Sequence, residues 1–272
     1  GGTDKKRQVA KLTQTQPHIV IGTPGRIFDL MQENALFVQT VQMMVVDEAD
    51  MTFDLGFLET VDEIASRMPE NLQMSVFSAT IPDKIKPFLK KYLGNPKVIQ
   101  IENTQLVSPT IKNQLLVTKA QNPMDVLRQL LVMGHPYLVL IFVNTKQKAD
   151  EVTKDLRSHN FKVATIHGDI PSRERRRVMK HIQQMDYQFV VATDLAARGI
   201  DIEGVSHVIN LEIPGELEFF IHRVGRTGRN GLKGTAITFY TPDQEQAIQT
   251  LEGKGISFET VELKNGELVE SY

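Results

Sequence analysis

The chain has 272 residues, 41% of them hydrophobic, which suffices for two ordinary domains with a core each. A formal charge of -2 excludes a globally basic nucleic-acid binder, so any grip on a polyanion is local, and there is no tryptophan to act as a stacking platform. The lack of cysteine excludes disulfides and thiolate zinc sites, and the longest apolar run, Tyr137 to Val143, is too short to span a bilayer. Asp4-Lys5-Lys6-Arg7 has no apolar signal region behind it, so a soluble cytoplasmic protein with no membrane partner is expected.

Strand-like runs are predicted at 18–21, 43–46, 73–77, 137–143, 162–166, 187–192, 205–210 and 234–240, with helices between most of them. This alternation predicts an α/β fold of parallel sheets covered on both faces, with ligands at the carboxyl ends of the strands. A strand at 43–46 covered on both faces frees its acidic residues only where it ends, at Asp47-Glu48-Ala49-Asp50. There Asp47 can hold Mg²⁺ through its water shell while Glu48 orients an attacking water. A lone acidic pair more often just closes a strand, so other motifs must decide.

After the strand at 73–77 stand Ser78 and Thr80, residue types that usually cap helices, and Pro82 predicts a helix starting there. A polar, proline-containing stretch then interrupts the alternation, so the domains are read as 1–102 and 111–272 with a linker at 103–110. Arg173, Arg175, Arg176 and Arg177 open a helix after His167-Gly168-Asp169, and a run of this kind is commonly a solvated face. Arg226 and Arg229 lie three apart, close enough to point the same way from a helix end. Their ordinary role would be to cap carbonyls, but Gly225 and Gly228 beside them allow close ligand approach. The seven histidines show no metal-ligand spacing, and His167 is assigned a structural role.

Taken in order, Gly1-Gly2, Thr23-Pro24-Gly25-Arg26, Asp47-Glu48-Ala49-Asp50, Ser78-Ala79-Thr80, Phe142-Val143-Asn144-Thr145, Thr193-Asp194 with Arg198-Gly199-Ile200-Asp201, and His222-Arg223-Val224-Gly225-Arg226-Thr227-Gly228-Arg229 resemble the ordered motifs of the DEAD-box ATP-dependent RNA helicases. The resemblance spans almost the whole chain and implies two RecA-like parallel-sheet domains, the first incomplete, with the active site in the cleft between them. It implies ATP and Mg²⁺ as cofactors, Asp47 and Glu48 as catalytic carboxylates, and Arg226 and Arg229 as arginine fingers. Asp201 and Gly199 match nucleotide-binding positions, while Asp50, Ser78, Thr80 and His222 match positions that couple the lobes. RNA contacts are implied for Gly2, Thr23, Arg26, Thr145, Arg175, Thr193 and Arg198, groups suited to phosphates and 2′-hydroxyls instead of bases. One departure is Ser172, where the family carries a glutamine three residues before Arg175, which puts that contact in doubt. The likeness is to bacterial members, some of which work in cold adaptation, ribosome assembly or RNA decay, so protein partners from those processes are among its implications.

No phosphate loop is present in the 272 residues. Gly253-Lys254 is followed by Gly255, and Gly231-Leu232-Lys233-Gly234 precedes Thr235 out of register. The chain opens on Gly1, directly on a motif, so the expectation is a fragment whose adenine-reading, phosphate-loop and first RNA-binding motifs lie upstream, with a tail also shortened after Tyr272. The fragment alone is expected to bind ATP poorly. Two alternatives are a non-catalytic RNA-binding scaffold, disfavoured by the retention of Glu48, Arg226 and Arg229, and a DNA-directed helicase, disfavoured by the Asp-Glu-Ala-Asp form with His222-Arg223.

Overall fold

The computed structural model describes residues 4–100, 106–118, 121–133, 136–197, 202–264 and 266–270, and the chain divides into two compact units, Gly1–Ile101 and Glu102–Tyr272. Gly2, Arg198, Gly199 and Asp201 lie outside the described residues, as does part of the expected linker at 103–110.

The first unit contains α1 (Lys5–Gln14), α2 (Pro24–Gln32), β1 (Met43–Val46), α3 (Ala49–Asp54), α4 (Leu58–Ser66), β2 (Gln73–Val76) and α5 (Lys86–Leu93). β1 and β2 pair in parallel, with Met43 opposite Gln73 and Val46 opposite Val76. Met44 and Val46 face a core built with Phe53, Val61 and Phe88, as strand alternation requires. Their neighbours Met43 and Val45 are 56% and 54% exposed, which corrects the expectation that this strand is covered on both faces. The reason is that the helices of the unit pack on the even-numbered side alone. The strand expected at 18–21 is not formed either. Ile19 and Ile21 are largely exposed, and no described residue supplies the ladder partner that a strand needs. The helix foreseen at Pro82 starts later, because a 3-10 turn at Asp83–Ile85 precedes α5.

The second unit contains β3 (Ile111–Val117), α6 (Pro123–Val132), β4 (Val139–Val143), α7 (Lys146–Ser158), β5 (Val163–Ile166), α8 (Ser172–Gln183), β6 (Phe189–Thr193), α9 (Asp194–Ala197), β7 (His207–Asn210), α10 (Leu217–Val224), β8 (Gly234–Tyr240), α11 (Glu245–Gly253), β9 (Glu259–Lys264) and β10 (Glu267–Glu270). Its sheet runs β10-β9-β3-β8-β7-β4-β6-β5, parallel except for the β9–β10 hairpin. β4 (Val-Leu-Ile-Phe-Val) and β6 (Phe-Val-Val-Ala-Thr) are buried throughout, the signature of strands sandwiched between helices. One face packs with α6 and α7 and the other with α8, α10 and α11, giving two separate cores. β3, β9 and β10 escaped the sequence reading. β3 carries the polar Lys112, Asn113 and Gln114 directly after Ile111, and the last two strands alternate with charged residues.

Candidate nucleotide and nucleic-acid site

In the first unit the chain leaves β1 at Val46, and Asp47 and Glu48 are exposed. Glu48 takes the left-handed conformation at φ 47° and ψ 52°, an uncommon and costly state for a non-glycine residue that clusters at functional sites. It turns the chain sharply into α3, while Asp47 Oδ1 accepts the Glu48 N–H at 2.9 Å. Behind this exposed pair Asp50 is only 2% exposed. Its carboxylate accepts the Thr80 N–H at 2.8 Å, the Thr80 hydroxyl at 3.0 Å and the Met51 N–H at 2.9 Å. Ser78 Oγ completes the link by accepting the Asp50 N–H at 3.0 Å and donating to the Thr80 carbonyl at 2.6 Å. Burial acts to raise the Asp50 carboxyl, but the bonds from Thr80 N–H, Met51 N–H and the Thr80 hydroxyl outweigh it and hold the group below its ordinary value. Thr23 stands exposed at the N-cap of α2 with no side-chain capping bond, and Arg26 Nη1 is held by the side chain of Gln8.

In the second unit three adjacent strands, β6, β4 and β7, deliver their carboxyl ends side by side. Arg223, in the last turn of α10 and 1% exposed, ties them together. Its Nε and Nη2 donate to the two carboxylate oxygens of Asp194 at 2.5 and 2.7 Å, after β6. Nη1 donates to the Glu212 carbonyl at 2.7 Å, after β7, and Nη2 also to Asn144 Oδ1 at 2.7 Å, after β4. The guanidinium lies 5.3 Å from the centre of the Phe142 ring. Asn144 is fixed a second time, its amide donating to Glu212 Oε2 and its Nδ2 to the Ile213 carbonyl. Sequence reading passed over Arg223 as a hub. Its signal was an arginine inside an otherwise apolar helix face that included Phe220 and Val224.

The neighbours of this network are the residues singled out from sequence. Thr145 caps α7, its hydroxyl oxygen accepting the Lys148 N–H at 3.1 Å, and Thr193 is buried at the end of β6. Arg226 Nε donates to the His222 carbonyl at 3.2 Å and Arg229 Nε to the Gly225 carbonyl at 3.0 Å, so each arginine does cap the helix end through one nitrogen. Gly228 lies at φ 66°, where a Cβ would fall 2.4 Å from Ile111 Cγ1, so only glycine fits this turn. Arg175 Nη2 donates to the His167 carbonyl at 3.2 Å, drawing the side chain back over the turn after β5. His167 itself meets Asp150 at 3.1 Å. Among the described residues no cluster of three or more histidine, cysteine or acidic groups is arranged to hold a metal by itself.

Two family descriptions match this chain, the DEAD/DEAH box helicase over residues 1–88 and the helicase conserved C-terminal domain over residues 122–231. A DEAD box protein of known structure from the hyperthermophile Methanococcus jannaschii is 30% identical, with a TM-score of 0.53 over 97% of this chain and 70% of its own. The chain belongs to the DEAD-box helicase family. The DEAD-box ATP-dependent RNA helicase CshB of Listeria monocytogenes is 54% identical over 99% of this chain and 62% of its own length, so the chain spans about six tenths of that relative. Dbp5 L327V of S. cerevisiae, solved bound to RNA and ADP BeF3, is 31% identical, with a TM-score of 0.80 over 93% of this chain and 68% of its own. The parallel α/β sheets are therefore those of RecA-like DEAD-box proteins.

Two outcomes follow from the buried charges. Arg223→Met leaves the half-buried Asp194 without its counter-charge and the Asn144 and Glu212 acceptors without a donor, and should cost about 2–4 kcal/mol in urea unfolding, with Arg223→Lys recovering only part because it lacks the planar fork; a loss under about 1 kcal/mol would contradict the hub. Because the folded pKa of Asp50 is depressed, its stabilisation is fully present above the ordinary aspartate value and is lost as pH falls through the folded value. Asp50→Asn should lower the urea midpoint at pH 7 and flatten its decline in that acidic window, whereas a parallel decline in both proteins would refute the assignment.

Proposed function

We propose that the intact protein is an RNA-stimulated ATPase that separates short RNA duplexes locally, and that this chain carries its hydrolytic and RNA-backbone residues. The observation that carries this reading is the pairing of exposed carboxylates with a buried anchor at the end of β1. Asp47 presents an exposed carboxylate suited to a water-shelled Mg²⁺, which is usually held by one or two carboxylates together with substrate phosphates. When bound, Mg²⁺ neutralises charge on the nucleotide phosphates. Glu48, aimed outward by its left-handed turn, orients the attacking water and takes its proton. Arg226 and Arg229, each tied to the end of α10 through Nε, act as arginine fingers on the γ-phosphoryl group, a contribution of about 10³–10⁵ in rate for groups of this kind. Asp201 and Gly199 complete nucleotide binding, and Ser78, Thr80, Asp50 and His222 couple the nucleotide state to RNA.

RNA is held along its backbone by Thr23, Arg26, Thr145, Arg175, Thr193, Gly2 and Arg198. At the start of α7 the capped helix N-terminus and the Thr145 hydroxyl suit a phosphate. Residues 1–102 are assigned to the first RecA-like domain, 103–110 to a linker and 111–272 to the second. The protein is placed in the cytoplasm, with ribosome-assembly or RNA-decay proteins as partners; no helix among the described residues is long and apolar enough to cross a membrane. Since the 272 residues hold no phosphate-loop sequence, the chain by itself binds ATP weakly and supports negligible turnover. In an intact protein containing this chain, ATPase activity should rise with single-stranded RNA more than with DNA, and Glu48→Gln should lower kcat by at least about 10² while sparing RNA binding. Unchanged kcat in that variant would remove the proposal.

A further inference from the structure

Of the arginines grouped at the start of α8, Arg175 is drawn inward and Arg173, Arg176 and Arg177 are not. Arg175, Val178, Met179 and Ile182 recur at helical spacing, and the last three pack in the core on this side of the sheet. Two residues out of phase, about 200° around the axis, Arg173, Arg176, Arg177 and Lys180 recur at the same spacing, and all four are exposed. They form one basic stripe facing directly away from the core. α8 carries five lysines and arginines against one acid, in a chain whose formal charge is -2. None of the four makes a hydrogen bond or an ion pair among the described residues, whereas Lys5, Lys91, Arg128 and Lys148 on other helices each meet an acid.

The stripe weakens the helix that carries it. Along it every i,i+3 and i,i+4 neighbour is a like charge, and Arg173 stands in the first turn, where the helix dipole disfavours a cation. Glu174, the one acid on α8, makes no ion pair with any of the four among the described residues. A bound polyanion relieves both penalties. Other partners are poorly matched. The core of a protein interface is depleted of charge, yet no large apolar side chain of α8 is exposed; a helix lying on a membrane needs the apolar face that α8 buries in the core. A phosphate backbone is met by guanidinium and ammonium groups alone. Position then selects the backbone. β5, β6 and β4 are parallel neighbours, so the start of α8 stands at the same pole as Thr145 and Thr193, and from there the stripe runs about 10 Å along the helix. We infer that this stripe binds the phosphate backbone of RNA extending past the strand held at Thr145, Arg175 and Thr193, an inference that rests on the RNA reading of that pole.

The test compares an intact protein containing this chain with a variant combining Arg173→Gln, Arg176→Gln, Arg177→Gln and Lys180→Gln. Affinity is measured against salt for a short single-stranded oligouridine and for the same strand lengthened at both ends, with poly-glutamate as competitor. The variant should bind the long strand at least about tenfold more weakly at low salt, and its slope of log affinity against log salt should fall by about two. Short-strand binding should change by less than about twofold, and the urea midpoint should not drop, because like charges have been removed. If the unaltered protein binds neither strand, the RNA reading itself fails. If it binds both and the variant keeps the affinity and slope for the long strand, the inference alone is overturned. It is overturned too if poly-glutamate displaces the long strand as well as oligouridine of equal charge does, which would make the stripe a site for an acidic protein.

Discussion

A fully buried guanidinium holds the working end of the second unit together. Removing an arginine from water is expensive, and the cost is met only where its donors find acceptors of good geometry. Arg223 finds them on three separate turns, at Asn144, Asp194 and Glu212. No one of these turns can shift without leaving part of a buried charge unsatisfied, so the three are fixed as a set. Thr145 and Thr193 inherit that precision because each is next in the chain to a member of the set.

The first unit solves the same problem with the opposite sign. There the buried group is the Asp50 carboxylate, satisfied by backbone and hydroxyl donors from Thr80 and Met51. Asp47, Glu48 and Arg229 are exposed and Arg226 is half-buried, as ligand binding requires. Their orientation has to come from elsewhere, and it comes from a buried charged neighbour a few residues away: Asp50 behind Asp47 and Glu48, Arg223 behind Arg226 and Arg229. The left-handed backbone at Glu48, a local cost of about 1–3 kcal/mol, persists between β1 and the anchored start of α3.

Much of this was legible in the sequence, for a physical reason. Strands sandwiched between helices, such as β4 and β6, must be apolar at every position, so they stand out as unbroken runs and the motif residues follow at their ends. β3 was missed because Lys112, Asn113 and Gln114 interrupt its apolar residues, leaving only Leu115, Leu116 and Val117 as a run. The β9–β10 hairpin sits at the sheet edge and alternates with charges, although Asn265-Gly266 between its strands is a recognisable turn signal. The run at 18–21 misled because hydrophobicity identifies a strand only where a neighbour pairs with it. Arg223 was quoted within a motif but not recognised as its anchor, although Phe220 and Val224 beside it on the helix were the sign that this charged residue is buried.

Hydrogen exchange compared between the protein and its Asp194→Asn variant tests the anchoring role of Arg223 most directly. Removing one acceptor should weaken all three turns together, so faster exchange is expected at residues 144–148, 193–196 and 211–213, with β9 and α11 unaffected. Faster exchange confined to residues 193–196, with the turns after β4 and β7 still protected, would show that the three are held independently and would contradict the account.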